Sequence, residues 1–471
     1  MSTVTQNYIY NTVYNLLSIL IPLITTPYIA RVLGPEGMGI YSYTYSIASY
    51  FAIFIILGLN KYGNRSISAA RSKKEDVNKL FCEIYAMQFI VGMLVLAIYV
   101  IGLFCFFKDY IWVQVTQIMY VVSSIFDVSW FFFGMEEFKT TVLRNIIIRL
   151  INLALIVFCV KNSNGLIVYT TIMAGSTLTS QLCLWPVLLK KYIKLYIPKW
   201  KDIIKHLRPN LLLFLPTIAI SLYKIMDKIM LGTMSNMTNV GYYENSEKII
   251  NIPMLLVSSL VTVMLPRMSN IIAVGDKKNE KRYFDYSMHF VLWLSTAICF
   301  GILGISNRFI PFFLGEEFIK CIDLLNVLAL TLIFISCGSV ISNLILVPHQ
   351  KDKEYIIIVS CGAGCNLFLN LLLIPRFFAI GAAVATTITE FVVLVCYFIC
   401  VRKLLNLKKY IIAEAVYLIS GIIMWQIVLV FGDNIQNSIL CIGIKVFIGV
   451  ISYCICSILS VRFLGIGMPQ E

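Results

Sequence analysis

The residues that could do chemistry are charges set in apolar surroundings. Lys224, Asp227 and Lys228 stand at i, i+3 and i+4, a spacing that puts all three on one face of a helix. Glu244, Glu247 and Lys248 follow, with Glu244 and Lys248 at i, i+4. Arg31, Asp127, Arg149, Glu390 and Lys445 each lie within or at the end of a long hydrophobic stretch. Such charges are costly in hydrocarbon and mark a pathway, a cavity wall or a buried pair. Two readings stand side by side. In one, the cations Arg31, Arg149, Lys224, Lys228 and Lys248 line a cavity that receives an anionic group. Asp227, Glu244, Glu247 and Glu390 then tune them or bind a coupling proton or sodium ion. In the other, Lys228 and Lys248 snorkel to an interface and the nearby carboxylates neutralise them. Arg149 and Lys224 lie deeper, where snorkelling is harder, and the first reading is favoured for both. Glu390 has no cation beside it in sequence. It is either the best coupling candidate or a structural group bonded to Thr386, one helical turn away.

Other chemistries find no support. There is no GxxxxGK phosphate loop, so ATP hydrolysis is not expected, and no Ser/His/Asp or metal-hydrolase spacing stands out. We expect no enzyme activity, no catalytic residue and no cofactor. Of fourteen Cys, most sit in apolar runs and behave as small hydrophobes. Cys361 and Cys365 share a helical face, but His206, His289 and His349 are scattered and supply no second pair, so no metal site is expected. Tyr41, Tyr43 and Tyr45 alternate, as do Trp130 and Phe132; interfacial belts or internal packing explain them better than sugar platforms. Residues 1–7 carry no positive segment, so no secretory signal peptide is expected.

The elements that must position these charges follow from composition. The chain has 471 residues, 59% hydrophobic and 13% charged, with a mean hydropathy of +0.86. An ordinary soluble domain is about 25% charged, so a soluble enzyme is excluded. Fourteen stretches are long enough to cross a bilayer as helices: 8–30, 39–59, 80–107, 111–133, 142–160, 164–189, 209–233, 239–265, 284–306, 322–347, 354–374, 379–401, 410–431 and 437–461. None alternates with period two, which excludes a β-barrel. The predicted class is an all-α polytopic membrane protein of about 14 spans. The net charge of +14 reads as cytoplasmic loops rather than as a nucleic-acid surface. With the N-terminus inside, the outer side holds only Arg31, Lys108, Lys161, Arg308, Lys320 and Arg376. The inner loops then hold the runs Lys61–Lys79 and Lys190–Arg208, and both termini are expected in the cytoplasm.

The two halves resemble each other weakly. Pro22, Arg31, VLG at 32–34 and Gly39 match Pro216, Lys228, MLG at 230–232 and Gly241, with an offset growing from 194 to 202. Gly165, Thr170, Thr171 and Ile172 match Gly381, Thr386, Thr387 and Ile388 at an offset of 216. Six spans separate the copies, an even number, so the repeat is parallel. This predicts an N-terminal lobe at 1–207, a C-terminal lobe at 208–409 and an added helix pair at 410–471. Such lobes imply a central cavity and alternating access. Lys445 lies outside the repeat and is expected to be structural.

Three stretches carry a family resemblance. PYIARVLGPEGMGIYSYTYSIASYFAIFIILGLNKYGNRSI (27–67) resembles the opening of bacterial oligosaccharide flippases of the polysaccharide-transporter family. DVSWFFFGMEEF (127–138) and DKIMLGTMSNMTNVGYYENSEKI (227–249) look like two more of its motifs. These Wzx-type proteins belong to the multidrug/oligosaccharidyl-lipid/polysaccharide exporter superfamily. The resemblance implies a two-lobed, V-shaped fold in the bacterial inner membrane. It also implies transfer of undecaprenyl-pyrophosphate-linked sugar units, for O-antigen, capsule or similar polymers, from the inner to the outer leaflet. Membrane lipids, and polysaccharide polymerase and glycosyltransferases, are the partners it suggests. The alternative is an ion-coupled multidrug exporter of the same superfamily, whose cavity would favour acids and aromatics over this set of cations.

Overall fold

The computed structural model describes the backbone of residues 3–73, 76–105, 109–431, 435 and 437–463, and side-chain surroundings for most of 21–460. Lys74, Lys108 and the last eight residues, on which part of the topology reading rests, lie outside the described residues. The described chain is all-α. The first eight helices are α1 (Thr3–Ile56), α2 (Leu59–Lys73), α3 (Val77–Cys105), α4 (Ile111–Ile125), α5 (Ser129–Gly134), α6 (Phe138–Cys159), α7 (Leu166–Leu182) and α8 (Trp185–Lys191). The rest are α9 (Trp200–Ile204), α10 (Leu207–Met234), α11 (Met237–Val274), α12 (Lys277–Phe313), α13 (Cys321–Ile341), α14 (Asp352–Val401), α15 (Leu407–Val430) and α16 (Ser438–Phe463).

Eleven helical stretches among the described residues are long and apolar enough to cross a membrane. They are fewer than the expected fourteen partly because α1 and α14 each carry two of those stretches across a kink. In addition α10, with Lys224, Asp227 and Lys228 in its second half, is not among them. The α1 kink is at Gly34, with φ 66° and ψ 178°. Pro35 disfavours helical geometry in the residue before it, and only glycine enters that backbone region cheaply. The stretch VLGPEG is therefore a bend inside a helix rather than a loop between two. The α14 kink is at Phe378, with φ 53° and ψ −129°, a conformation that costs a bulky residue roughly 1–3 kcal/mol.

The chain forms two compact units, Met1–Ile229 and Met230–Glu471, so the boundary falls inside α10. In the first unit, Phe81, Ile84, Trp130, Phe131, Phe132, Leu184 and Ile203 form one core, and Ile47, Tyr99, Val121 and Ile125 another. In the second, α15 and α16 pack on α12, with Phe300, Met424, Val428 and Tyr453 at their contact.

Each unit also ties a carboxylate on a long helix to the residues that enter a later one. In the first unit Glu83 of α3 meets Lys205 at 2.9 Å and His206 at 3.1 Å, just before α10. In the second, Asp285 of α12 meets Lys409 at 3.0 Å and accepts from the Tyr410 hydroxyl, at the start of α15. Asp285 follows Glu83 by 202 positions, the same offset that relates Gly39 to Gly241.

Candidate functional site

In the first unit, Arg31 is exposed on the last turn of α1 before Gly34. Arg149 is half-buried on α6. The face of α10 does not give its three charges one environment: Lys224 is exposed, Lys228 half-buried and Asp227 only 3% exposed. Asp227 lies within electrostatic range of Tyr50, whose hydroxyl donates to the Ser221 carbonyl at 3.4 Å. Sequence reasoning passed over Arg144, five residues before Arg149 on the same helix. Its guanidinium donates to the Ser180 carbonyl at 3.0 Å and to Asn145 Oδ1 at 2.8 Å, which ties α6 to α7. The signal was there, as an arginine just inside an expected span.

In the second unit, Lys248 and Glu244 of α11 form an ion pair at 3.1 Å, with Glu244 the more enclosed partner. Glu247 beside them is half-buried. Glu390 is 8% exposed on α14. Thr386, weighed as its partner, shares a 3.0 Å hydrogen bond with the Tyr243 hydroxyl of α11. Asn370 Nδ2 donates to Asn366 Oδ1 at 3.0 Å, both fully buried one turn apart on α14. Among the described residues no group of three His, Cys, Asp or Glu side chains could hold a metal ion. Chemically, then, both units offer cations for oxyanions and carboxylates able to take a proton or a small cation.

The His206 contact is a hydrogen-bond relay. The Tyr62 hydroxyl donates to Nδ1 at 2.6 Å, and Nε2–H donates to Glu83 Oε2 at 3.1 Å, an arrangement that suits the neutral ring. Burial holds the His206 pKa below its usual value, and Glu83 offsets this only in part. The positive partner of Glu83 is therefore Lys205 rather than His206. A histidine with a depressed folded pKa contributes stability at high pH. That contribution is lost as pH falls from the unfolded value of 6.5 toward the folded one. Melting of the detergent-solubilised protein should fall more steeply as pH drops below 6.5 than that of His206→Gln. Parallel curves would show that His206 is not the acid-sensitive group.

Comparison with known proteins places the chain. A family model described as "Polysaccharide biosynthesis protein" matches residues 4–272. The chain belongs to this family. All three motif stretches of the sequence lie inside the matched region. A candidate O-antigen transporter of Escherichia coli (strain K12) is 24% identical over 409 residues, covering 85% of this chain and 97% of that protein. The capsular polysaccharide biosynthesis protein CapF of Staphylococcus aureus is 24% identical over 418 residues, 85% of this chain and 99% of its own. Among solved structures, lipid II flippase MurJ in an inward closed conformation superposes with a TM-score of 0.74 at 17% identity, over 96% of this chain and 99% of MurJ. An inward-facing multidrug transporter of the MATE family superposes at 0.63 and 13% identity, over 84% and 97%. This family member thus has the MurJ/MATE-like transporter fold, with multiple helices long and apolar enough to cross a membrane.

Within this family member the DVSWFFFG stretch serves packing. Trp130 and Phe132 are fully buried. The Gln88 amide donates to the Ser124 and Asp127 carbonyls at 2.9 Å and accepts from Trp130 Nε1 at 3.1 Å. Asp127 Oδ1 accepts from the Ser129 amide at 2.9 Å and starts the α5 turn. A Cβ on Gly63 would sit 2.5 Å from the Trp130 ring, so glycine there lets α2 lie against α5. Near the VLGPEG kink, Tyr41 stacks on Tyr45 at 5.7 Å, and Tyr45 bonds Tyr120.

Proposed function

We propose that the protein moves undecaprenyl-pyrophosphate-linked oligosaccharide units from the cytoplasmic to the outer leaflet, for assembly of a surface polysaccharide. The observation that carries the reading is membership of the polysaccharide biosynthesis family in a chain whose apolar helices hold Arg31, Arg149, Lys224, Lys228 and Lys248. A headgroup with two phosphates and many hydroxyls cannot enter hydrocarbon unpaired, because each unsatisfied group is expensive there. Lysine and arginine on the wall of a cavity offset that cost, and arginine can grip phosphate oxygens with two donors at once. The polyprenyl tail stays in lipid while two halves alternate in access. Asp227, Glu244, Glu247 and Glu390 are the acids we assign to coupling, by a proton or sodium ion. The bacterial inner membrane is the proposed location, with both termini in the cytoplasm. Polymerase and glycosyltransferases are its proposed working partners.

The test is transport in vesicles loaded with labelled lipid-linked oligosaccharide, with proton, sodium and electrical gradients imposed separately. Appearance of label in the opposite leaflet supports the reading. Transport of a cationic amphiphile with no movement of the lipid-linked sugar would instead identify a multidrug exporter. Reporter fusions after Lys201 and after Lys320 should report opposite sides of the membrane, as the asymmetry of basic residues requires. Identical reports would overturn the topology.

A further inference from the structure

The α12–α15 contact of the second unit carries a line of polar side chains that the proposed transport does not use. Asp285, His289 and Thr296 recur along one face of α12, and Lys409, Tyr410 and Glu414 stand on α15. At one end Lys409 and Tyr410 hold Asp285. Next, His289, 3% exposed, sets its ring 5.9 Å from that of Tyr410, and its Nε2 has no hydrogen-bond partner. Lys409 and Asp285 are the charges that face it. Farther along, the Thr296 hydroxyl donates to Glu414 Oε1 at 3.0 Å, while Oε2 is buried without a partner. The titratable groups around Glu414 are Cys299 of α12, Cys337 of α13, Tyr417 of its own helix and Tyr453 of α16. None is a cation, and no ion pair reaches Glu414 among the described residues.

An unpaired carboxylate charge buried this way costs several kcal/mol, whereas the neutral acid keeps its bond from Thr296 and sheds the charge. We propose that Glu414 is a proton-binding site inside the α12–α15 contact, its carboxyl held as the neutral acid with Thr296 donating to Oε1 and the proton on the unpartnered Oε2. The site lies outside the acids assigned to coupling above.

The purified full chain in phosphatidylcholine vesicles should show a protonated-carboxyl band in infrared spectra. Glu414→Gln should remove a component of that band, distinct from any component lost in Glu390→Gln. Thr296→Val should shift the same component, since it removes the hydroxyl donor. An unchanged band in Glu414→Gln means the carboxyl is ionised and overturns the site. If Glu414→Gln does not fold, the component must still move in Glu414→Asp and Thr296→Val, and its failure to do so is equally decisive. The infrared reading needs no transported lipid, so its failure is distinguishable from failure of the flippase reading.

Discussion

Arg149→Ala and Lys224→Ala will each abolish or severely cut surface polysaccharide while leaving the protein in the membrane at near-normal amount. On the proposed function each substitution removes one charge-assisted contact to a phosphate, worth about 1.5–3 kcal/mol, so flipping in vesicles should slow by roughly tenfold to a hundredfold. Lys224 is exposed and Arg149 half-buried, so neither truncation opens a cavity in a packed core. Arg149→Lys keeps the charge but loses the two-donor grip and should fall between wild type and alanine. Lys445→Ala is the contrast: Lys445 is 4% exposed, so the loss should appear in stability rather than specifically in transport. Full transport by both alanine variants, or their absence from the membrane, would remove these cations from the substrate site.

Trp130→Ala will give the largest loss of stability of any single change considered. The side chain is fully buried, stacked on Phe81 at 5.5 Å and pressed against Gly63. Truncating a buried tryptophan costs about 3–5 kcal/mol. It also leaves Gln88 Oε1 without its donor, at a further cost of about 1–3 kcal/mol. Against a total of about 5–15 kcal/mol for a typical domain, that is enough to deplete the folded protein. Trp130→Phe keeps a ring but loses the N–H and should be milder. Membrane abundance and melting in detergent read the effect directly. A melting point within a few degrees of wild type for the alanine variant would show that this motif does not hold α2, α3 and α5 together.

Much of this protein is legible in its sequence because the relevant signals are local. Long apolar runs dictate helices and a membrane, since a backbone in lipid must satisfy its own hydrogen bonds. The motifs at 27–67, 127–138 and 227–249 carry the family, and the family model spans all three. Charges inside spans could be named from spacing alone, including the Glu244–Lys248 pair. The tertiary structure decided what spacing cannot express. It made VLGPEG a bend within one helix, because Gly34 can adopt the geometry that Pro35 imposes. It separated the three charges of α10 into exposed Lys224 and buried Asp227, since a helical face is uniform only if its neighbours are. It tied Arg144 to α7, Glu83 to Lys205 and His206, and Thr296 to Glu414, partners 36 to 123 positions apart. Period and hydropathy describe which way a side chain points from its own helix. Which group it meets depends on packing between distant segments, and that is set only when the whole chain has folded.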